Sequence, residues 1–272
     1  MTTKEVQGVL YDILVDIHEF CVANGIKYSL AGGTLLGAIR HNGFIPWDND
    51  MDIQFSRPEY ERFIHTYKSQ RGFRLFSSEI NREEFVGIAF TRVCEMTKTY
   101  ADNGIQPWIN RETGVYVDIM PIDGAPNDYV TAKKKINKMY RNWRILNLYR
   151  SKLVAKTIRK FTLGQMFVYK IKRFLSHLIP KSYMQKYIDQ CMEYSYNSNS
   201  YLANFSTMKN KLKEWQPKDS MANYVLHTFE NGRFYIMEGY ETSLVSLYGD
   251  YMKLPPLDKQ KGDESVCFYW KE

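Results

Sequence analysis

Asp48, Asp50 and Asp52 stand at alternate positions in the segment PWDNDMDIQF, and carboxylates so spaced form a set of hard oxygen ligands. Two carboxylates a few ångströms apart repel each other, which raises one pKa unless a cation sits between them. Magnesium suits such a site, with manganese as the alternative. It takes one or two protein carboxylates and leaves positions for water and for substrate phosphates. Asp50 and Asp52 are the expected ligands. Asp48 follows Pro46 and Trp47, where the proline argues for a turn or an edge rather than a regular strand.

The local pattern suggests how these groups are positioned. Met51, Ile53 and Phe55 alternate with Asp50, Asp52 and Gln54 as the two faces of a strand would, so Asp50 and Asp52 are expected to project together. Upstream, residues 27–31 read as a short strand, Gly32-Gly33 as a turn, and 34–40 as a helix with Thr34 as its capping hydroxyl. The positive end of such a helix favours an anion, and glycine removes the side chain that would hold a pyrophosphate away. Gly32, Gly33 and Thr34 are therefore candidate donor-phosphate ligands, with Arg40 and His41 adding positive charge. A lone glycine pair is usually a turn and a lone Asp-x-Asp usually a solvated loop. Their succession within one short segment is the informative feature.

The run GGTLLGAIRHNGFIPWDNDMDI resembles the signature of LicD-type phosphotransferases, which are related to fukutin and the fukutin-related protein. VYVDIMPIDGAP at 115–126 and LYGDYMKLPP at 247–256 agree with it, so the resemblance is anchored in both halves of the chain. It implies an α+β fold: a nucleotidyltransferase-like mixed sheet flanked by helices. It also implies transfer of a phospho-alcohol from a CDP-activated donor to a sugar hydroxyl of a cell-surface glycan precursor. Phosphocholine is the first expectation for the group transferred, with ribitol phosphate and glycerol phosphate behind it. By the same resemblance, Asp118 is the third carboxylate, brought from a neighbouring strand as metal ligand or general base. Val115, Val117 and Ile119 do alternate with Tyr116 and Asp118 as a strand would. Asp123, just before Gly124, reads instead as a turn stabiliser.

Composition narrows the class further. A chain of 272 residues with 44% hydrophobic and 15% aromatic content can bury one large core or two small ones, which excludes a disordered chain. Cys21, Cys94, Cys191 and Cys267 form neither a CxxC pair nor a metal-ligand spacing, so they read as reduced packing residues of a cytosolic protein. Residues 1–20 read as an amphipathic helix rather than a signal peptide. No apolar run approaches the roughly 18 residues of a membrane span.

Charge divides the chain into three parts: a catalytic core at 1–128, a basic helical insert at 129–188, and 189–272 packing back on the core. The insert holds 16 Lys and Arg and no Asp or Glu, which leaves 21 basic and 30 acidic residues for everything else. Within it Ile158, Phe161, Leu163, Met166, Phe167, Ile171, Phe174, Leu175, Leu178 and Ile179 interleave with Lys156, Arg159, Lys160, Lys170, Lys172 and Arg173. Such a helix can lie on an anionic membrane, placing the protein at the inner face of the plasma membrane, or grip a glycan or lipid-linked acceptor. The plainer expectation is an apolar stripe facing the core and a solvated basic face. No nucleic-acid motif accompanies the charge, so nucleic acid is not an expected partner.

Elsewhere, 73–77 and 86–93 read as strands and 57–68 and 181–197 as helices. Trp215, Tyr224, Phe229, Phe234, Tyr235 and Tyr240 read as core, or as a cage for a trimethylammonium group. Two rival functions remain at this level. One is transfer of the nucleotidyl group by attack at the other phosphorus; the other is a membrane-recruited scaffold with a dead site.

Overall fold

The computed structural model describes residues 1–80, 88–102, 113–152, 162–262 and 265–272. The first part runs α1 (Thr3–Ala23), β1 (Ser29–Leu30), α2 (Gly32–His41), β2 (Asp52–Ser56), α3 (Arg57–Thr66), β3 (Arg74–Ser77), β4 (Thr91–Cys94), β5 (Thr99–Asp102) and β6 (Tyr116–Ala125). Three helices follow: α4 (Tyr129–Tyr149), α5 (Leu163–Ser176) and α6 (Tyr183–Cys191). The last part is β7 (Tyr201–Ala203), β8 (Gln216–Pro217), β9 (Tyr224–Phe229), β10 (Gly232–Met237), α7 (Tyr240–Tyr248) and β11 (Cys267–Trp270). The fold is α+β; among the described residues there are one seven-stranded mixed sheet and two two-stranded pairs, β9 with β10 and β5 with β11.

β6 is the spine of the large sheet. It pairs in parallel with β2 along one edge and antiparallel with β4 along the other, and its last three residues pair antiparallel with β7. Pro121 lies between the last residue paired with β4, Ile119, and the first paired with β7, Asp123. The proline thus falls where its missing N–H costs no ladder bond to β4 or β7. Beyond β2 lies β1, and beyond β4 lies β3, both antiparallel.

The expected amphipathic N-terminal helix is α1. Val6, Leu10, Ile13, Leu14, Ile17 and Cys21 line its buried face, and a Thr2–Glu5 capping box closes its first turn. Each fully buried Leu or Ile contributes roughly 1.5–3 kcal/mol of burial. Against this face pack the sheet residues Ile53, Phe55, Val117 and Ile119 and the hairpin residues Phe229, Phe234 and Ile236, so both ends of the chain build one core. A second core joins α4 and α6 through Ile136, Met139, Tyr187 and Ile188 to Ala203 and Phe205 of the following segment.

Several expectations are met with altered boundaries. The strand expected at 86–93 is β4, displaced to Thr91–Cys94, and residues 81–87 lie outside the described ones. The helix expected at 181–197 stops at Cys191, before the Ser- and Asn-rich stretch at 195–200 that favours turns. The aromatic cluster does not form one cage. Phe229 and Phe234 are fully buried in the first core, whereas Trp215 stacks on Tyr201 at 4.1 Å beside the second. The cysteines are free thiols, three of them buried. Among the described residues no helix is long and apolar enough to cross a membrane.

Asp123 is structural, as expected, but through an ion pair rather than a turn. It is 1% exposed and takes Arg57 Nε at 2.6 Å and Nη2 at 2.9 Å, while Arg57 Nη1 reaches Glu61 and Glu79. Replacing Asp123 by Ala leaves a buried guanidinium short of its main counter-charge. This should cost about 3 kcal/mol in urea unfolding; a loss below about 1 kcal/mol would show that Glu61 and Glu79 suffice.

Candidate active site

The site begins where β1 enters α2. Leu35 N–H donates to the Ala31 carbonyl at 3.0 Å as the first intrahelical bond, so Gly32, Gly33 and Thr34 supply the open first turn. Gly32 has φ +53°, in the left-handed region that glycine reaches without strain. The expected turn and the start of the helix are therefore the same residue. Thr34 is not a cap: α2 has no side-chain cap, and the Thr34 hydroxyl instead accepts the Asp52 N–H at 2.9 Å. Ala31 N–H returns a bond to the Asp52 carbonyl at 3.0 Å, which fastens the head of α2 to the head of β2.

Two of the three carboxylates of this region are drawn against the glycines. A Cβ added at Gly32 would meet Asp52 Oδ2 at 3.1 Å, and one added at Gly33 would meet Asp48 Oδ2 at 2.9 Å. The glycines thus give the acid side chains access to the positive end of the helix. Asp48 is set by a turn with Pro46 as its second residue, closed by Asp48 N–H to the Ile45 carbonyl at 2.9 Å. Gln7 of α1 straps that turn by donating to the carbonyls of Ile45 and Asp48. Asp50 precedes β2 and is exposed, while Met51, Ile53 and Phe55 are buried as expected; Gln54 and Ser56 on the opposite face are buried too.

Asp118 arrives by register. Across the sheet Asp52 pairs with Asp118, and Asp118 with Arg92, forming one row on three adjacent strands about 4.8 Å apart. Arg92 Nε donates to Asp118 Oδ1 at 2.6 Å and Nη2 to Oδ2 at 3.2 Å, with the guanidinium 3.7 Å from the Tyr116 ring centroid. A carboxylate has about four acceptor positions, and Arg92 uses two. Asp118 therefore keeps acceptor capacity on the side of Asp52.

The row is electrostatically strained. Burial, then repulsion from Asp50, Asp118 and Asp48, holds the Asp52 carboxyl well above the usual carboxylate range. Burial and then Asp50 push Asp48 up to about 8. Lys209 draws both back, and the Tyr248 hydroxyl, raised chiefly by its own burial, also lies in the field of Asp52, Asp48 and Asp50. Among the described residues no three acid, His or Cys side chains stand together as a ready-made metal shell. The donors are nonetheless all carboxylate oxygens, partly buried and mutually repelling. That set fits a hard divalent cation bound through one or two protein ligands and completed by substrate phosphates.

Arg40 and His41 lie at the opposite end of α2, about 12 Å along its axis from Gly32. Arg40 Nη1 donates to the Tyr251 carbonyl at 2.9 Å and the Lys253 carbonyl at 3.4 Å, and its Nε to His41 Nε2 at 3.0 Å. This accounts for the segment at 247–256, which sequence reading left without a role: Arg40 holds it, and Tyr248 within it lies in the field of the acids. Arg92, Lys209 and Arg150, the last in the field of Arg92 and Asp118, were not legible. Arg92 alone had a signal, as a lone charge on an otherwise apolar strand.

Comparison with known proteins places the chain in a family. A family model described as the LicD/FKTN/FKRP nucleotidyltransferase domain matches residues 25–145, which contain every carboxylate of the row. The lipopolysaccharide cholinephosphotransferase LicD of Haemophilus influenzae is 32% identical over 264 residues, covering 96% of this chain and 95% of that protein. The chain belongs to the LicD family. The human ribitol 5-phosphate transferase FKRP shares 58% identity over 31 residues, 11% of this chain and 6% of its own length. A yeast protein, mannosyltransferase regulator 4, is 27% identical over 132 residues, 47% of this chain and 11% of its own. Likeness to the LicD protein thus runs the length of the chain, whereas likeness to FKRP is confined to a short stretch.

Proposed function

We propose that this LicD-family chain transfers a phospho-alcohol, phosphocholine first, from a CDP-activated donor to a sugar hydroxyl of a cell-surface glycan. The observation that carries the reading is the seating of Asp48 and Asp52 against Gly33 and Gly32, with Asp118 one strand away. Similarity along nearly the whole of a cholinephosphotransferase supports the choice of group. Ribitol phosphate, the group named for FKRP, is the second choice.

Asp50 and Asp52 would hold magnesium or manganese, with Asp118 adjoining, and the ion would supply neutralising charge for the donor pyrophosphate. The chain's own groups do the rest. Two carboxylates at the start of α2 would repel an approaching pyrophosphate, so the first-turn N–H groups of Gly33 and Thr34 bind it only once that negative charge is balanced. Lys209 adds positive charge on the same side. Asp118, oriented by both of its bonds to Arg92, accepts the proton of the attacking sugar hydroxyl. The hydroxyl oxygen bonds to the phosphorus carrying the alcohol, the bond from that phosphorus to the bridging oxygen breaks, and CMP leaves. Such transfers depend mainly on positioning and charge neutralisation.

Product analysis tests this reading. With magnesium, CDP-choline and an acceptor glycan, CMP should accumulate in step with phosphocholine on the sugar. Pyrophosphate released from CTP or ATP would assign nucleotidyl transfer instead, and no product under either condition would favour the scaffold. Asp118→Asn should lower kcat by about 10²-fold or more while changing donor affinity less than about threefold. A matching fall in affinity would make Asp118 a ligand of the donor–metal unit rather than the base.

A further inference from the structure

The helix α5 is turned the wrong way round for a soluble protein. Surface helices of globular proteins normally bury an apolar stripe and expose a polar one. In α5 and the turn that follows it, Leu163, Phe167, Ile171, Phe174 and Leu178 recur at helical spacing, and all are exposed, Leu163 at 92%, Phe174 at 70% and Leu178 at 72%. The side that packs on the protein is polar: Ser176 is buried, and Arg173 and Tyr169, three and seven residues earlier, are partly buried. The plain expectation of a core-facing apolar stripe holds for α4 and α6 and fails here. Ile158, Phe161, Lys156, Arg159 and Lys160, read with this helix from the sequence, lie outside the described residues.

Charge identifies what covers the stripe. At 100° per residue, Lys170 falls on one border of the apolar arc; on the other side the arc continues through the exposed Leu175 and Val168 to Lys172. Both lysines are exposed, and no Asp or Glu occurs anywhere in 129–188. A second copy of this face would set like charges against each other. An anionic bilayer instead offers headgroups to the lysines and acyl chains to the stripe. We propose that α5 docks the protein on an anionic lipid surface, its apolar stripe entering the acyl boundary and Lys170 and Lys172 staying at the headgroups. α5 rests on α4 and on the short turn Arg150–Lys152, and Arg150 lies in the field of Asp118. The docked face is therefore tied to the segment that reaches the acid row. Docking is independent of which group the active site transfers and is read without turnover.

The full chain should float with phosphatidylglycerol vesicles at low salt, bind phosphatidylcholine vesicles at least tenfold less, and be released as salt shortens the screening length. The double variant Phe167→Ser/Phe174→Ser changes only exposed positions, so its far-UV circular dichroism and thermal midpoint should match wild type while vesicle affinity falls tenfold or more. Lys170→Glu/Lys172→Glu should lose the preference for anionic vesicles. Absence of flotation at low salt, or flotation undiminished in the serine variant, would overturn the proposal. So would a wild-type dimer that the serine variant dissolves without any change in vesicle binding, since the stripe would then be covered by a second copy.

Discussion

Asp52→Asn should abolish turnover, with a loss of about 10³-fold, or about 4 kcal/mol of transition-state stabilisation. The substitution keeps size and removes charge. The backbone bond from residue 52 to the Thr34 hydroxyl does not depend on the side chain, so α2 and β2 stay joined. Retention of more than about a tenth of wild-type turnover would remove Asp52 from the site, and Asp50→Asn should behave alike. Stability should move the other way. Asp48 and Asp52 are harder to ionise in the folded chain than in the unfolded one, so the folded state binds protons more tightly and loses stability as pH rises. For Asp48 the window runs from its ordinary 3.8 to about 8. In chelator, the wild-type thermal midpoint should therefore fall across that range, and Asp52→Asn should flatten the fall. A wild-type midpoint that rises with pH in chelator would mean that the repulsion is relieved within the protein itself.

Gly33→Val should reduce donor affinity by tenfold or more, because even the first carbon of the new side chain would lie 2.9 Å from Asp48 Oδ2. The carboxylate, or the helix start, has to shift, and overpacking of this kind costs roughly 1–3 kcal/mol. Titration calorimetry with a CDP-alcohol and magnesium reads the affinity, and urea unfolding reads the stability. Unchanged affinity in a folded variant would mean that the glycine pair only turns the chain. Gly33→Ala separates the two effects: it adds the clashing Cβ without the branched bulk, so it should cost less stability yet still disturb Asp48.

Much of this was legible beforehand, because it rests on local rules. Alternation placed Ile53 and Phe55 on one buried face of β2, although the sheet buries Gln54 and Ser56 on the other as well, and helical spacing set the buried face of α1. Glycine, proline and aspartate in close succession marked the segment where α2, the Asp48 turn and β2 meet. What side chains do with one another was less legible. Thr34 was read as a cap because that reading uses only neighbours in sequence; its actual partner, Asp52, is eighteen residues away. Arg40 was read with the phosphates because it shares a helix with the glycines, yet a helix places its two ends far apart, and the carbonyls of Tyr251 and Lys253 take it. Arg92 could not be paired with Asp118, nor Asp52 with Asp118, until strand register set all three in one row.

The sequence by itself determined the chemistry available: hard carboxylates, a glycine-led helix start, and an insert without acid. It also determined the apolar stripe of α5, since periodicity is a property of the helix alone. Only the tertiary structure decided which way that stripe faces. Periodicity states that a helix has two sides, while burial depends on which side finds a partner, and α5 finds its partner for the polar one.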